Sequence, residues 1–284
     1  MRIAERAGFG ERRTVTVIPA SIEGADRGFL ERLIARAGSD DRVTALFLGG
    51  SHASGNADAY SDLDLYLITT DAGYDGVLAE RKEILRSVGD IVFLEEHSDF
   101  GFLLLLYIFA DGVHGEIALA PARALDDVHS GPHKVLVDKE RLIRDHVFPT
   151  GGLEDLTRRE LVRKSLVWFW YDRSLLHTAL RRGNLWTAHF YLERCRERCL
   201  DLAWLRSHPH NWPGGHEKAE VVLDSEMLEQ LASTMARLQG GDITRAATQV
   251  TNFFEEVGAE VAEDVGVDYP KRLAETVRAR LTGG

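Results

Sequence analysis

Along the first half of the chain the apolar positions fall into short runs with amphipathic stretches between them; beyond residue 150 the spacing turns almost wholly helical. The segment "SIEGADRGFLERLIARAG" (21–38) carries its apolar residues at helical spacing, which predicts a helix with Ser21 as its cap and Gly38 as its stop. A strand "RVTALFL" (42–48) follows, then a Gly-Gly-Ser turn and a second strand around 63–69. A helix through 75–88 and strands near 91–95, 101–109 and 113–120 complete the alternation expected of α/β units. Asp111-Gly112 joins the last two strands as a hairpin. The most apolar run, "FGFLLLLYIFA" (100–110), is too short to span a membrane and reads as a buried strand.

The stretch "FPTGG" (148–152) supplies Pro, Thr and two Gly and predicts a boundary between a domain over 1–150 and a second over 151–284. In the second half Ala188, Leu192, Cys195, Cys199 and Leu202 recur at spacings of three and four, one stripe of a packed helix. Ala246, Val250, Phe253, Val257 and Val261 repeat the arrangement. The fold class expected is therefore α+β, a mixed sheet flanked by helices followed by an all-α bundle. Cys195 and Cys199 lie on the stripe as small apolar core residues, and two Cys without paired His make neither a disulfide framework nor a zinc motif.

Charge narrows the partners. Lys and Arg total 34 against 45 Asp and Glu, a net charge of −11. That balance argues against nucleic acid, whose binding rests on neutralising phosphates, and is compatible with a cationic small molecule. The N-terminus "MRIAERAGFGERRTVTVIPA" has arginines but no apolar core of signal-peptide length. A cytoplasmic protein with no membrane association is the expectation.

One stretch carries chemistry, "LFLGGSHASGNADAYSDLDLYLI" (46–68). An Asp-Leu-Asp opens an apolar strand, and Asp62 and Asp64 point the same way because strand side chains repeat with a period of two. Buried carboxylates are costly without a compensating partner. Gly50 and Ser51, eleven residues before Asp62, follow an apolar strand, so their backbone N–H groups can face an anion. Phosphates beside paired carboxylates repel unless a cation lies between them, and Mg²⁺ takes hard oxygens from one or two carboxylates plus phosphates. A third acid is Glu116 in "VHGEIALA", the only acidic residue of its strand, with Ala118 and Ala120 on its face.

These residues resemble the signature of the nucleotidyltransferase superfamily: apolar strand, Gly-Ser, a spacer, Asp-x-Asp, and a third acid on a later strand. With its helical second half the chain is most similar to the aminoglycoside and lincosamide nucleotidyltransferases. The motif match spans about 42–120, and beyond 150 the likeness is architectural only. Gly49 stands before Gly50-Ser51 where that family usually has another small residue, a mild departure.

The resemblance implies that Gly50 and Ser51 hold phosphates of ATP and that Asp62 and Asp64 ligate Mg²⁺. Ser61 would steady the strand entrance or a phosphate. Glu116 would complete the metal site or act as general base toward an acceptor hydroxyl. Lys218, in the Gly-rich loop "NWPGGHEKAE" (211–220), could reach the triphosphate, and its other reading is a solvated loop charge. Active sites at subunit interfaces occur in the family, which leaves a homodimer open.

The acceptor side is less defined. Acidic and aromatic candidates in the second domain are Glu193, Glu197, Asp172, Trp168, Trp170, Trp186 and Trp212, the tryptophans being equally readable as core and the glutamates as helix-surface ion pairs. "HPHNW" (208–212) and "SGPHKV" (130–135) read as loops. The expected function is Mg²⁺-dependent transfer of AMP from ATP to a hydroxyl of an aminoglycoside- or lincosamide-like antibiotic. The alternatives are a protein or RNA acceptor, as in antitoxin-type nucleotidyltransferases, and a non-catalytic nucleotide-binding regulator.

Overall fold

A computed structural model describes residues 18–98, 101–149, 154–208, 216 and 219–282. The chain divides into two compact units, Met1–Thr150 and Gly151–Gly284. In the first, the elements run α1 (Gly24–Ser39), β1 (Val43–Leu48), α2 (Gly50–Ser54), β2 (Leu63–Thr69), α3 (Tyr74–Arg86), β3 (Ile91–His97), β4 (Leu103–Phe109), β5 (His114–Pro121), a 3₁₀ turn (Ala122–Ala124), α4 (Leu125–Val128) and β6 (Lys134–Asp138).

The six strands form one sheet in the order β3-β4-β5-β2-β1-β6. Neighbours are antiparallel except the central β2–β5 pair, which is parallel. The alternation in β2 sends Leu63, Leu65 and Leu67 to one face, where they pack with Phe29, Leu30 and Leu33 of α1 and Val77 and Ile84 of α3. Burying each such side chain is worth about 1.5–3 kcal/mol. The opposite face carries Phe47, Ile68, Ala118 and Ala120, covered by Leu125, Val128, Ile143 and Phe148. Asp64 and Glu116 lie on this second face, beyond the end of its apolar cover.

Two element boundaries differ from the sequence reading. The first helix starts at Gly24 with Glu23 as its N-cap, not at Ser21, because the Ser21 hydroxyl hydrogen-bonds His52 Nδ1 at 3.1 Å instead. It also runs through Gly38 to Ser39 and yields to the extended Asp40. The segment "SGPHKV" is not loop throughout. Its Lys134 opens β6, which pairs with β1 as Leu48↔Lys134 and Phe47↔Val135. A five-residue strand on the sheet edge carries too little periodicity to be seen alone.

In the second unit the described helices are α5 (Asp155–Arg181), α6 (Leu185–Ser207), α7 (Ala219–Val222), α8 (Ser225–Ser233), α9 (Gly240–Asp264) and α10 (Lys271–Thr282). Both predicted stripes are buried: Ala188, Leu192, Cys195, Cys199 and Leu202 on α6, and Ala246, Val250, Phe253, Val257 and Val261 on α9. Phe169 of α5 stacks on Phe254 of α9 with ring centroids 3.5 Å apart. Trp170 donates from Nε1 to the Tyr269 hydroxyl at 3.1 Å, which satisfies the polar edge of a fully buried indole. The two cysteines are free thiols, and burial pushes both well above the usual thiol range. Among the described residues no helix is long and apolar enough to cross a membrane.

Candidate active site

The parallel pairing of β2 with β5 places Asp64 directly beside Glu116. Parallel neighbours in register share a face, so both carboxylates project from the same side of the sheet. The tight approach of the two strands is possible because Gly115, opposite Leu63, has no Cβ; one would run into the Leu63 backbone. Asp62 stands just before β2 and is exposed, whereas Asp64 and Glu116 are half-buried. Burial, and next the charge of Asp62, push the Glu116 carboxyl above its ordinary value. A carboxyl raised by burial and a like-charged neighbour marks a place arranged for something other than stability.

The Gly-Gly-Ser turn closes over this edge. Gly49 donates its N–H to the Asp64 carbonyl at 2.9 Å, tying the end of β1 to β2. Gly50 has φ of +53°, and a Cβ there would land on Asp64 Oδ2. Only glycine lets the chain turn this way with the carboxylate against it. Gly49 is also required, because a Cβ would sit 2.7 Å from the Tyr66 ring. Its presence before Gly50-Ser51 is therefore a consequence of the tyrosine two residues beyond Asp64. The Ser51 hydroxyl is buried without a hydrogen-bond partner among the described residues. A hydroxyl in that condition is poised to meet an acceptor that a ligand brings.

Ser61 is engaged locally. Its Oγ accepts from the Asp58 N–H at 2.9 Å and donates to Asp58 Oδ1 at 3.2 Å, closing the turn that delivers Asp62. Lys218 and Trp212 lie outside the described residues. Of the other candidates, Asp172 is buried and bound by Arg194 Nε at 3.1 Å, and Glu193 pairs with the buried Arg196. Trp170 is core, whereas Trp168 and Trp186 are 45% and 80% exposed, so the core reading fails for those two.

Two aromatic residues near the acids were not singled out from the sequence. Tyr66 lies on the Asp64 face, stacked on Phe47 with His129 edge-on at 4.6 Å, and its hydroxyl is pushed up to about 12 by burial, then by Asp64 and Glu116. Period two from Asp64 would have placed it on this face. Tyr107 is buried with its hydroxyl unpartnered among the described residues, and burial with the surrounding carboxylates holds it well above its ordinary value. Its position on β4 gives no sequence signal, because the alternation there marks only core.

The donor set suits a hard divalent cation, since carboxylate oxygens on β2 and β5 stand beside one another. As the side chains stand, no three His, Cys, Asp or Glu among the described residues meet closely enough to enclose an ion. The mixed sheet with its acid-lined central pair, followed by a helical half, is the architecture of a nucleotidyltransferase. The streptomycin adenylyltransferase family matches residues 26–283, and the chain belongs to that family. It is accordingly an adenylyl-transferring enzyme of the antibiotic-modifying kind.

Among solved structures the chain is similar to an aminoglycoside 6-adenyltransferase from Bacillus subtilis, at 18% identity over 89% of this chain and 96% of that one, with a TM-score of 0.46. It is also similar to a nucleotidyltransferase-like protein from Exiguobacterium sibiricum 255-15, at 12% identity over 85% and 79%, with a TM-score of 0.37. At that level of identity and superposition neither likeness bears on activity. A search of curated proteins finds no match.

Proposed function

We propose that the chain transfers AMP from ATP to a hydroxyl of an aminoglycoside, with a streptomycin-like acceptor first. The observation that carries the site is the pairing of Asp64 with Glu116 under a glycine that leaves no room for a Cβ. Asp62 and Asp64 would hold Mg²⁺, with Glu116 as the third acid of the set. A bound Mg²⁺ would supply charge neutralisation between carboxylates and triphosphate. Gly50 and Ser51 would receive phosphate oxygens, the Ser51 hydroxyl gaining the partner it lacks within the described residues. Ser61 would act through the turn it closes.

In the reaction the acceptor hydroxyl oxygen forms a bond to the α-phosphorus while the bond from that phosphorus to the bridging oxygen breaks. Pyrophosphate leaves with that electron pair, and the hydroxyl proton passes to Glu116. Positioning and electrostatic stabilisation supply most of the acceleration in transfers of this type. The net charge of −11 agrees with a polycationic acceptor.

The test is pyrophosphate release from ATP with Mg²⁺ and single aminoglycosides, the native chain beside Asp64→Asn. Release that needs both an acceptor and Asp64 is expected, with streptomycin among the active acceptors. Release by native protein that is undiminished in Asp64→Asn would overturn the site, and no release with any aminoglycoside would overturn the acceptor class.

A further inference from the structure

Most arginines of this chain with a described partner sit on carboxylates: Arg42 on Asp40 and Glu80, Arg81 on Glu96, Arg194 on Asp172, Arg278 on Glu255. Two in the helical unit sit on hydroxyls instead. Arg173 of α5 is 8% exposed and donates from Nε to Thr251 Oγ1 of α9 at 3.0 Å; its Nη1 is buried with no hydrogen-bond partner among the described residues. Arg280 of α10 donates from Nη1 to Ser174 Oγ at 3.2 Å and from Nη2 to Thr178 Oγ1 at 3.0 Å. Arg280 thus closes on the turn of α5 that Arg173 begins, and His177 lies within that turn.

A hydroxyl can accept an N–H but cannot neutralise a guanidinium, and a buried N–H left without an acceptor costs free energy. His177 reports the same imbalance. Burial first, and then Arg173, Arg181 and Arg280, hold its imidazole below the usual histidine range, and every charge that acts on it is positive. In an acidic chain a partly buried cationic cluster of this kind is not a solubility device. What it lacks is a compact anion with several acceptor oxygens, and a phosphate-type oxyanion matches the guanidinium fork in charge and shape.

We propose that Arg173, His177 and Arg280 form a site for a phosphate-type oxyanion on the helical unit. The site shares no residue with the acids of β2 and β5 and does not depend on the reaction proposed for them. The buried Arg173 supplies the permanent charge and the exposed Arg280 closes from the outer side. Binding would favour the imidazolium form of His177, so its titration midpoint rises when the anion is present.

The experiment follows the histidine resonances of the full chain by NMR across pH, with His177→Gln to assign the signal. Inorganic phosphate is the probe, and chloride at matched ionic strength is the control. The expected result is a rise in the His177 midpoint with phosphate and not with chloride. Arg280→Gln, a change at an exposed position, should weaken phosphate binding roughly tenfold, as loss of charge-assisted hydrogen bonds does. Asp64→Asn should leave the phosphate affinity unchanged. A His177 signal indifferent to phosphate, an equal response to chloride, or an undiminished response in Arg280→Gln would each overturn the site. AMP as a second probe separates free phosphate from the phosphoryl end of a larger molecule: an equal rise supports the latter, and a response to phosphate alone the former.

Discussion

The two ends of the antiparallel β1–β2 pair treat carboxylates in opposite ways. Where β1 begins, Asp40 is nearly buried and fully answered: it accepts from Arg42 N, Nε and Nη2 at 3.0, 2.9 and 2.8 Å and from Arg36 Nη1 at 3.0 Å. Those bonds hold its carboxyl well below the usual range. Where β1 ends and β2 begins, Asp62, Asp64 and Glu116 gather, and no cation is among the groups that act on Glu116. One end spends its carboxylate on the fold. The other accumulates charge that the fold does not need, which is how a site for a cationic or metal-bridged ligand is told from a structural ion pair.

The largest effect that can break this contrast is on activity. Glu116→Gln keeps the size and the register partner of Asp64 but cannot accept a proton. The expected loss in kcat is about 10²–10⁴-fold, the range for a removed general base. ATP affinity measured by calorimetry should change far less. A variant with native kcat would remove Glu116 from the chemistry and leave the acid pair on β2 alone.

The second effect is on stability and has the opposite profile. Asp40→Asn leaves the Arg42 and Arg36 guanidiniums facing a neutral amide, and the expected cost is about 1–3 kcal/mol in urea unfolding of the chain. Adenylyl transfer by the folded fraction should be unchanged, since Asp40 lies at the far end of β1 from Gly50. Loss of activity without loss of stability would erase the distinction between the two ends.

How much of this was legible beforehand depended on whether the signal was local. The Asp-x-Asp spacing drew attention to Asp62 and Asp64, and every stripe residue named on α6 and α9 is buried, although each helix also buries others, such as Leu200 and Leu205 on α6 and Ile243 and Phe254 on α9. The pairing of β2 with β5 was not readable, because fifty-two residues separate Asp64 from Glu116 and only the sheet order makes them neighbours. The same holds for the Gly49 requirement, set by a ring on the adjacent strand, and for Ser21, drawn from its helix to His52. Edge strand β6 escaped because its pattern is short. The hydroxyl-held arginines escaped because Arg173 and Arg280 are far apart in sequence and unremarkable within their own helices.

The smallest effect is the most discriminating, because the two carboxylates give opposite signs of pH dependence. Asp40 has a lowered folded pKa, so its contribution is present above the ordinary value of 3.8 and is lost as pH falls. Glu116 has a raised folded pKa, so its contribution is fully present below the ordinary value of 4.5 and is lost as pH rises through the folded value. Solvent reaches Glu116, which holds the Glu116 effect below about 1 kcal/mol. In urea unfolding of the metal-free protein, the Glu116→Gln chain should gain stability relative to native between pH 4.5 and neutrality. The Asp40→Asn chain should show its full deficit above pH 3.8, and the deficit should shrink as pH falls below that value. Adding Mg²⁺ at neutral pH should stabilise native protein more than Glu116→Gln. Equal responses in the two would mean that the cation, if it binds, does not use the third acid, and would confine the metal set to Asp62 and Asp64.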